Sequence, residues 1–379
     1  MVMRRSPHIF SAIIYRMDVL TRIGRAFPPP QSLAMPGAGI DIGANSVKVV
    51  TFKTHVGPCF LNSFAQAELP EGAVVDGEIE KPDAVVEVLR SLRLRERIRF
   101  AHASLPERKA YLYQTLVPPG SDVDLRTNVE FSLESHVPIP PGETAFDFEV
   151  VRTTEQGTVV SVTAYAKRVV ETYQDVFARA GIILRSLEIE SQAVGRALWD
   201  EEDRRHTAMA IDFGRKTTRI AIFDHGAVAF TATLDVGGDA LTSAVMKHFN
   251  ISEAEAGAMK NEKGFLEGPE NRELYEALAT TASVLRDEIV RHLTYWNSQN
   301  DDGVPHKPIE SVVLVGGNAN LKGLPEHLSR ALGLPVSVGN VWKNAVSLDR
   351  AVPAMAQNTS LEFATTIGLA LRSCNCRVW

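Results

Sequence analysis

Apolar and polar residues alternate along GIDIGANSVKVVTFK, the stretch that begins at Gly37, and β-branched residues flank its Gly-Ala-Asn-Ser centre. That pattern predicts a β-hairpin. A loop carrying Pro70, Gly72 and Gly77 then leads through Pro82, a favourable first helical position, into a helix over 84–94 whose Val85, Val88, Leu89 and Leu92 share one face. From about 100 to 185 the texture changes. A strand is predicted over 111–117, followed by the punctuation Pro118-Pro119-Gly120 and a helix over about 123–135 that VPIPP stops. Strands over 144–152 and 159–166 and a helix over 169–180 closed by Gly181 complete a small α+β unit.

The segment 208–234 repeats the logic of the opening hairpin: AMAIDFG, a KTT turn, RIAIF, an Asp224-His225-Gly226 turn, then AVAFTATL. Two similar units predict an internal duplication. Residues 237–299 read as helical, and the last helix, over 271–297, places Leu274, Leu278, Ala282, Leu285, Ile289, Leu293 and Trp296 at helical spacing, as core positions. Val312 to Val315 form a continuous apolar run of the kind found in a buried strand, followed by Gly316-Gly317 and a helix over 324–332 capped by Gly333. A final helix is expected over 361–371.

The chain of 379 residues is long enough for several subdomains, since single cores stop growing at about 250–300 residues. A net charge of -6 argues against nucleic acid as a partner, and the basic run between Arg90 and Arg99 reads as a solvated helix face. Cys59, Cys374 and Cys376 show no metal-binding or disulfide spacing, so unpaired thiols in a reducing compartment are expected, with the last two an incidental pair near the chain end. No apolar run approaches the ~18 residues of a membrane-spanning helix. Residues 1–36 read as an extension outside the folded body, or as a short membrane-touching helix.

Three glycine turns each follow an apolar strand: Asp41-Ile42-Gly43-Ala44-Asn45-Ser46, Asp212-Phe213-Gly214-Arg215-Lys216-Thr217-Thr218, and Val315-Gly316-Gly317-Asn318. A strand ending in Asp-x-Gly sets a carboxylate at the mouth of a turn whose backbone N–H groups form an anion-binding nest. Glycine lets that backbone approach an oxyanion. Hydroxyls at Ser46, Thr217 and Thr218 can donate to phosphate oxygens, while Lys48 and Lys216 balance charge. Because the carboxylates of Asp41 and Asp212 would repel phosphate, their expected role is to hold a hydrated Mg²⁺.

The arrangement resembles the actin, hexokinase and Hsp70 superfamily, which implies an α/β fold: a duplicated ribonuclease H-like fold with two lobes around an ATP cleft and a small α+β insertion. Within it the chain is similar to the PilM family over 37–372, through LPEGAVVDGEIEKPDAVVEVLR (69–90), FSLESHVPIP (131–140), AYAKRVVETYQDVFARAG (164–181) and LDVGGDALTSAV (234–245). The resemblance implies a cytoplasmic scaffold of type IV pilus assembly and twitching motility. Its expected partners are the N-terminal tail of the membrane protein PilN and other pilus inner-membrane proteins, so that it meets the membrane only through partners; self-association is left open. It adds Gly237, Gly238, Asp239 and Lys260 to the expected nucleotide contacts, beside Gly316, Gly317 and Asn318 on the adenosine turn. The implied organisation is an extension over 1–36, first-lobe core over 37–100, an insertion over 101–186 that contributes to partner binding, and first lobe again over 187–204. Second-lobe core over 205–233, a helical subdomain over 234–300, second-lobe core over 301–358, a closing helix over 359–372 and a tail over 373–379 follow.

The chain departs from the family where Gly257 replaces a ribose-facing glutamate, which Glu255 does not replace by register, and where bulky Arg215-Lys216 occupies the second turn. Hydrolysis needs a group that orients water near the terminal phosphate. Glu190 stands where the superfamily often places one, and it reads equally as an N-terminal carboxylate of a helix over 191–198. Weak turnover at most is expected. The alternatives are an FtsA-like cell-division protein, a GspL-like secretion module and a small-metabolite kinase.

Overall fold

The two β-branched hairpins grow into two sheets of the same connectivity. In the computed structural model, which describes residues 36–53, 59–119, 124–298, 300–301, 304–345 and 351–374, β1 (Gly37–Ile42), β2 (Ser46–Lys53) and β3 (Phe60–Glu68) form an antiparallel meander. A short hairpin of β4 (Val74–Val75) and β5 (Glu78–Ile79) leads into α1 (Pro82–Glu96), which buries Val85, Val86, Leu89 and Leu92. Strand β6 (Phe100–Leu105) pairs parallel with β1. The expectation for residues 1–35 lies outside the described residues.

After β6 the chain leaves the sheet for β7 (Tyr111–Val117), α2 (Leu125–His136), β8 (Thr144–Thr154), β9 (Gly157–Ala166) and α3 (Lys167–Ala180). Asp124 caps α2, its side chain accepting from the Thr127 N–H at 2.8 Å. The three strands run in the order β7-β9-β8, so β8 is an edge, and they bury Val160 and Val162 against Val129 and Leu133 of α2. β10 (Ile183–Ile189) then returns beside β6 and completes the order β3-β2-β1-β6-β10.

Helix α4 (Glu190–Leu198) precedes β11 (Ala208–Phe213), β12 (Thr218–Asp224) and β13 (Ala227–Leu234), a second antiparallel meander. Helices α5 (Gly238–Phe249), α6 (Glu253–Lys263) and α7 (Arg272–Ser298) follow, and α7 buries all seven positions that the spacing selects. A short hairpin, β14 (Asn300–Asp301) with β15 (Val304–Pro305), leads to β16 (Ser311–Val315), which pairs parallel with β11. Helix α8 (Leu324–Leu332) and β17 (Val336–Val338) close the second sheet in the order β13-β12-β11-β16-β17. The halves match strand for strand: this is the duplicated two-lobe actin fold. Among the described residues no helix is long and apolar enough to cross a membrane.

The closing helix is two pieces, α9 (Gln357–Leu361) and α10 (Ala364–Leu371). The break frees two carbonyls for the turns: Leu361 O accepts from Gly316 N–H at 3.0 Å, and Glu362 O accepts from Lys48 Nζ at 2.8 Å. Past it, α10 packs against β1 and α4 at a distance only glycine permits. A Cβ on Gly39 would lie 2.0 Å from Thr366 O, and one on Gly368 would lie 1.8 Å from Ala193 O.

The residues that follow α10 are fastened beside β1. Gly37 N–H donates to Ser373 Oγ at 2.6 Å, and buried His102 shares hydrogen bonds with Ser186 Oγ (2.7 Å) and Ser373 Oγ (3.0 Å). Cys59 and Cys374 form a disulfide, S–S 2.05 Å. This corrects the expectation of unpaired thiols: partners 315 residues apart leave no spacing signal in the chain.

Two outcomes follow. Burial, aided by the Arg372 charge, pushes His102 down from 6.5 to about 4. The unfolded chain takes up the proton first, so stability is complete above pH 6.5 and falls as pH drops toward 4, by at most about 1.4 kcal/mol per pH unit. Urea denaturation across this range should show that slope, flattened in His102→Gln. Alkylation of the denatured, unreduced protein should find one free thiol among three cysteines, and Cys374→Ser should lower stability by about 2–4 kcal/mol; three free thiols would exclude the cross-link.

Candidate functional site

Each of the first two turns closes on itself, with the Gly43 N–H donating to Ser46 O and the Gly214 N–H to Thr217 O, both at 3.0 Å. They face each other: Lys216 Nζ, from the second turn, donates to Asn45 Oδ1, from the first, at 3.4 Å. Ala44, Asn45, Arg215 and Lys216 are exposed at this mouth, with Ser46 and Thr217 half-buried beside them. Two expected contacts are committed elsewhere. Lys48 reaches the Glu362 carbonyl and lies over the Phe363 ring. Thr218 is buried, its hydroxyl donating to Val236 O at 2.6 Å.

The third turn docks on the second. Asn318 Nδ2 donates to Gly214 O at 2.7 Å, and Lys260 Nζ donates to Asn318 Oδ1 and to Gly238 O, each at 3.2 Å. The first N–H groups of α5 turn the same way, Gly238 to Gly214 O (3.0 Å) and Asp239 to Arg215 O (2.9 Å), and the Asp239 carboxylate pairs with Arg215 Nε at 3.1 Å. Gly237, Gly238, Asp239, Lys260 and Asn318 thus assemble around the second turn, with buried Lys260 pointing into this junction; Gly316 packs behind Asp212 and Phe213, and Gly317 faces Glu362. Burial holds its ammonium below the usual lysine range. Glu255 belongs to a capping box with Ser252 at the start of α6.

Between the strands that carry these turns lies a group that reading the chain missed. Arg219 of β12 sits directly across the hairpin from Asp212. Its Nη2 donates to Asp212 Oδ2 at 2.5 Å and its Nη1 pairs with Glu190. Asp41 accepts from Ser104 Oγ at 2.6 Å. Burial of Glu190 raises its pKa, Arg219 opposes, and the carboxylates of Asp41, Glu107 and Asp212 reinforce the rise, pushing it up to about 8. Buried Glu107, which accepts from the Ser191 N–H at 3.0 Å, is raised by its burial too. The available signal was hairpin register: an arginine at the start of the apolar run RIAIF must face the strand end carrying Asp212.

These donors do not fit a Mg²⁺ held jointly by Asp41 and Asp212, because Asp212 already neutralises a guanidinium. Among the described residues no group of three His, Cys, Asp or Glu side chains is arranged for a metal.

A cavity of about 660 Å³ opens elsewhere, between the edge strand β8, β10, α4 and the β12–β13 turn. Phe146, Phe148, Tyr165 and Leu187 supply apolar wall; Glu149, Gln192, Arg204 and His225 supply polar wall. Beneath them buried Glu188 accepts from Arg196 Nη2 at 2.7 Å and pairs with Arg372. Arg152 of β8 donates to Asp224 at 2.6 Å, and Ser161 Oγ to Val228 O at 2.6 Å, tying the insertion to the second lobe.

Known proteins bear on this geometry. A solved PilM-PilN type IV pilus biogenesis complex aligns with TM-score 0.71 and 24% identity, over 89% of this chain and 98% of that one. MreB5 of Spiroplasma citri, bound to ADP, aligns with TM-score 0.50 and 12% identity over 87% and 94%. Cell division protein FtsA of Streptococcus pneumoniae serotype 2 is 24% identical over 368 residues, 86% of this chain and 79% of that protein. FtsA of Neisseria meningitidis serogroup B is 23% identical over 235 residues, 57% of this chain, which spans only 55% of that protein. The model of the type IV pilus assembly protein PilM family matches residues 39–374. With the match running from β1 through α10, this chain belongs to the type IV pilus assembly protein PilM family.

Proposed function

We propose that this chain is a nucleotide-gated scaffold of type IV pilus assembly, holding ATP between its two facing turns and the N-terminal tail of PilN in the groove beside β8. The hydrogen bond between Lys216 and Asn45 carries the first half of this reading. It brings two nests and a cation to one gap, the arrangement a polyphosphate needs. The edge position of β8 carries the second half: an unpaired strand edge flanked by apolar and charged side chains suits an extended peptide. The solved complex with PilN concerns a protein of this family and supports the choice of partner. The scaffold would work in the cytoplasm and reach the inner membrane through PilN and the other pilus proteins bound there.

Gating follows from where the groove is built. Its walls belong to the insertion, to β10 and α4 of the first lobe, and to the β12–β13 turn of the second, with Arg152 and Asp224 bridging the last gap. β12 runs from the second phosphate turn to that wall. A nucleotide that draws the turns together therefore biases the groove, by as much as its affinity differs between open and closed lobes. Glu190 is already engaged by Arg219 Nη1 and so is not free to orient an attacking water, which makes slow hydrolysis the expected accompaniment.

Calorimetry should detect ATP binding, and Lys216→Glu, which reverses charge at the mouth, should weaken it by about tenfold, ~1.4 kcal/mol. No heat from the wild type at millimolar ATP would remove the nucleotide half. A peptide of the PilN tail should bind the wild type and fail with Gln192→Trp, whose indole fills the groove; equal binding by both would place the peptide elsewhere.

A further inference from the structure

We propose that Arg219 is the built-in counter-cation of the cleft, standing among Asp41, Glu190 and Asp212 where a divalent ion would otherwise be held, so that nucleotide binding does not depend on a metal bridging to these carboxylates. The inference rests on the nucleotide reading for its second clause only.

The three acids arrive on three elements, at the end of β1, the start of α4 and the end of β11. Strand ends of this kind would repel one another across the gap and repel phosphate as well. Arg219 meets them from a fourth element, and its position is fixed by the backbone: Asp212 and Arg219 are cross-strand partners. The preceding residue, Thr218, is locked by its bond to Val236 O. The planar fork then spans two acids at once, Nη1 on Glu190 and Nη2 on Asp212. This geometry suits a guanidinium and would not be reproduced by a lysine.

For a divalent ion to take Asp212, Arg219 would have to leave, stranding a largely buried guanidinium beside a metal of like sign. Mg²⁺ gives up its water reluctantly and demands near-octahedral geometry, so it gains little by displacing a partner already in contact. Arg219 also has donors to offer. A guanidinium carries five N–H groups, and the side chain remains 26% exposed. An arriving phosphate thus meets acids that already hold a fixed cation, and a metal accompanying it would be carried by the phosphate oxygens rather than by this chain.

The test has two arms, and the first uses no nucleotide. Mn²⁺ is titrated into the nucleotide-free full chain and followed by electron paramagnetic resonance, for wild type, Arg219→Thr and the nearly isosteric Arg219→Gln. The wild type should show no site tighter than about millimolar, and the variants should gain one about tenfold tighter as the acids lose their cation. A wild-type Mn²⁺ site as tight as the variants' overturns the proposal, as do folded variants, confirmed by thermal melting, that gain none. In the second arm ATP affinity is measured in EDTA and in Mg²⁺. The wild type should change by less than about threefold and Arg219→Gln by about tenfold or more. A wild type that loses about tenfold or more in EDTA overturns the proposal. Should the wild type bind no ATP in either buffer, the nucleotide reading fails, and the Mn²⁺ arm, which needs only the wild type if the variants do not fold, decides the occupancy of the acid cluster alone.

Discussion

A turn that offers its N–H groups to an anion points its carbonyls the other way, and buried carbonyls must be satisfied. In the second turn this constraint organises the junction with α5 and the third turn. Gly214 O takes a bond from Asn318 and another from the Gly238 N–H, and Arg215 O takes one from Asp239. The start of α5 and the turn after β16 are therefore locked to one loop. The locking sets the residue types: a Cβ on Gly237 would fall 2.4 Å from Arg215 O, and one on Gly238 would fall 2.3 Å from Asn318. Lys260, buried at the same junction, closes it by donating to both Gly238 and Asn318. The junction thus ties α5, α6 and the turn after β16 to the loop between β11 and β12.

What the chain reveals by itself is what depends on near neighbours. The seven core positions of α7 follow from helical spacing, and the doubled meander follows from two alternating hairpins. The capping box at Ser252 and Glu255 is equally local, although from the chain alone Glu255 is weighed only against the ribose. The features that escape a linear reading are those whose partners lie far along the chain. The final helix is expected to run unbroken over 361–371, yet it begins only at Ala364, because Gly316 and Lys48 take the carbonyls of Leu361 and Glu362 at its expected start. The disulfide of Cys59 with Cys374 has no local trace. Arg219 is intermediate: strand register places it opposite Asp212, but only the folded chain brings Glu190 to its other side.

The cleft and the groove are distinct in chemistry yet share structural members. The cleft is framed by turns and charged side chains, whereas the groove is framed by a strand edge and apolar rings. β12 begins at the first and ends at the second, and α4 starts with Glu190 in the cleft and continues along the groove through Gln192 and Arg196. The coupling proposed between them would need no long relay of side chains, because single elements touch both.

The fastening of Gly37 to Ser373 places the two ends of the folded body within one hydrogen bond of each other, 2.6 Å. Such a body is nearly a closed ring, and its core has no stake in where the ring is cut. A short linker could join those ends while new ones are opened at an exposed loop. The same adjacency means that a reporter joined at either of these two points would stand at one spot on the first lobe, beside β1 and the end of α10.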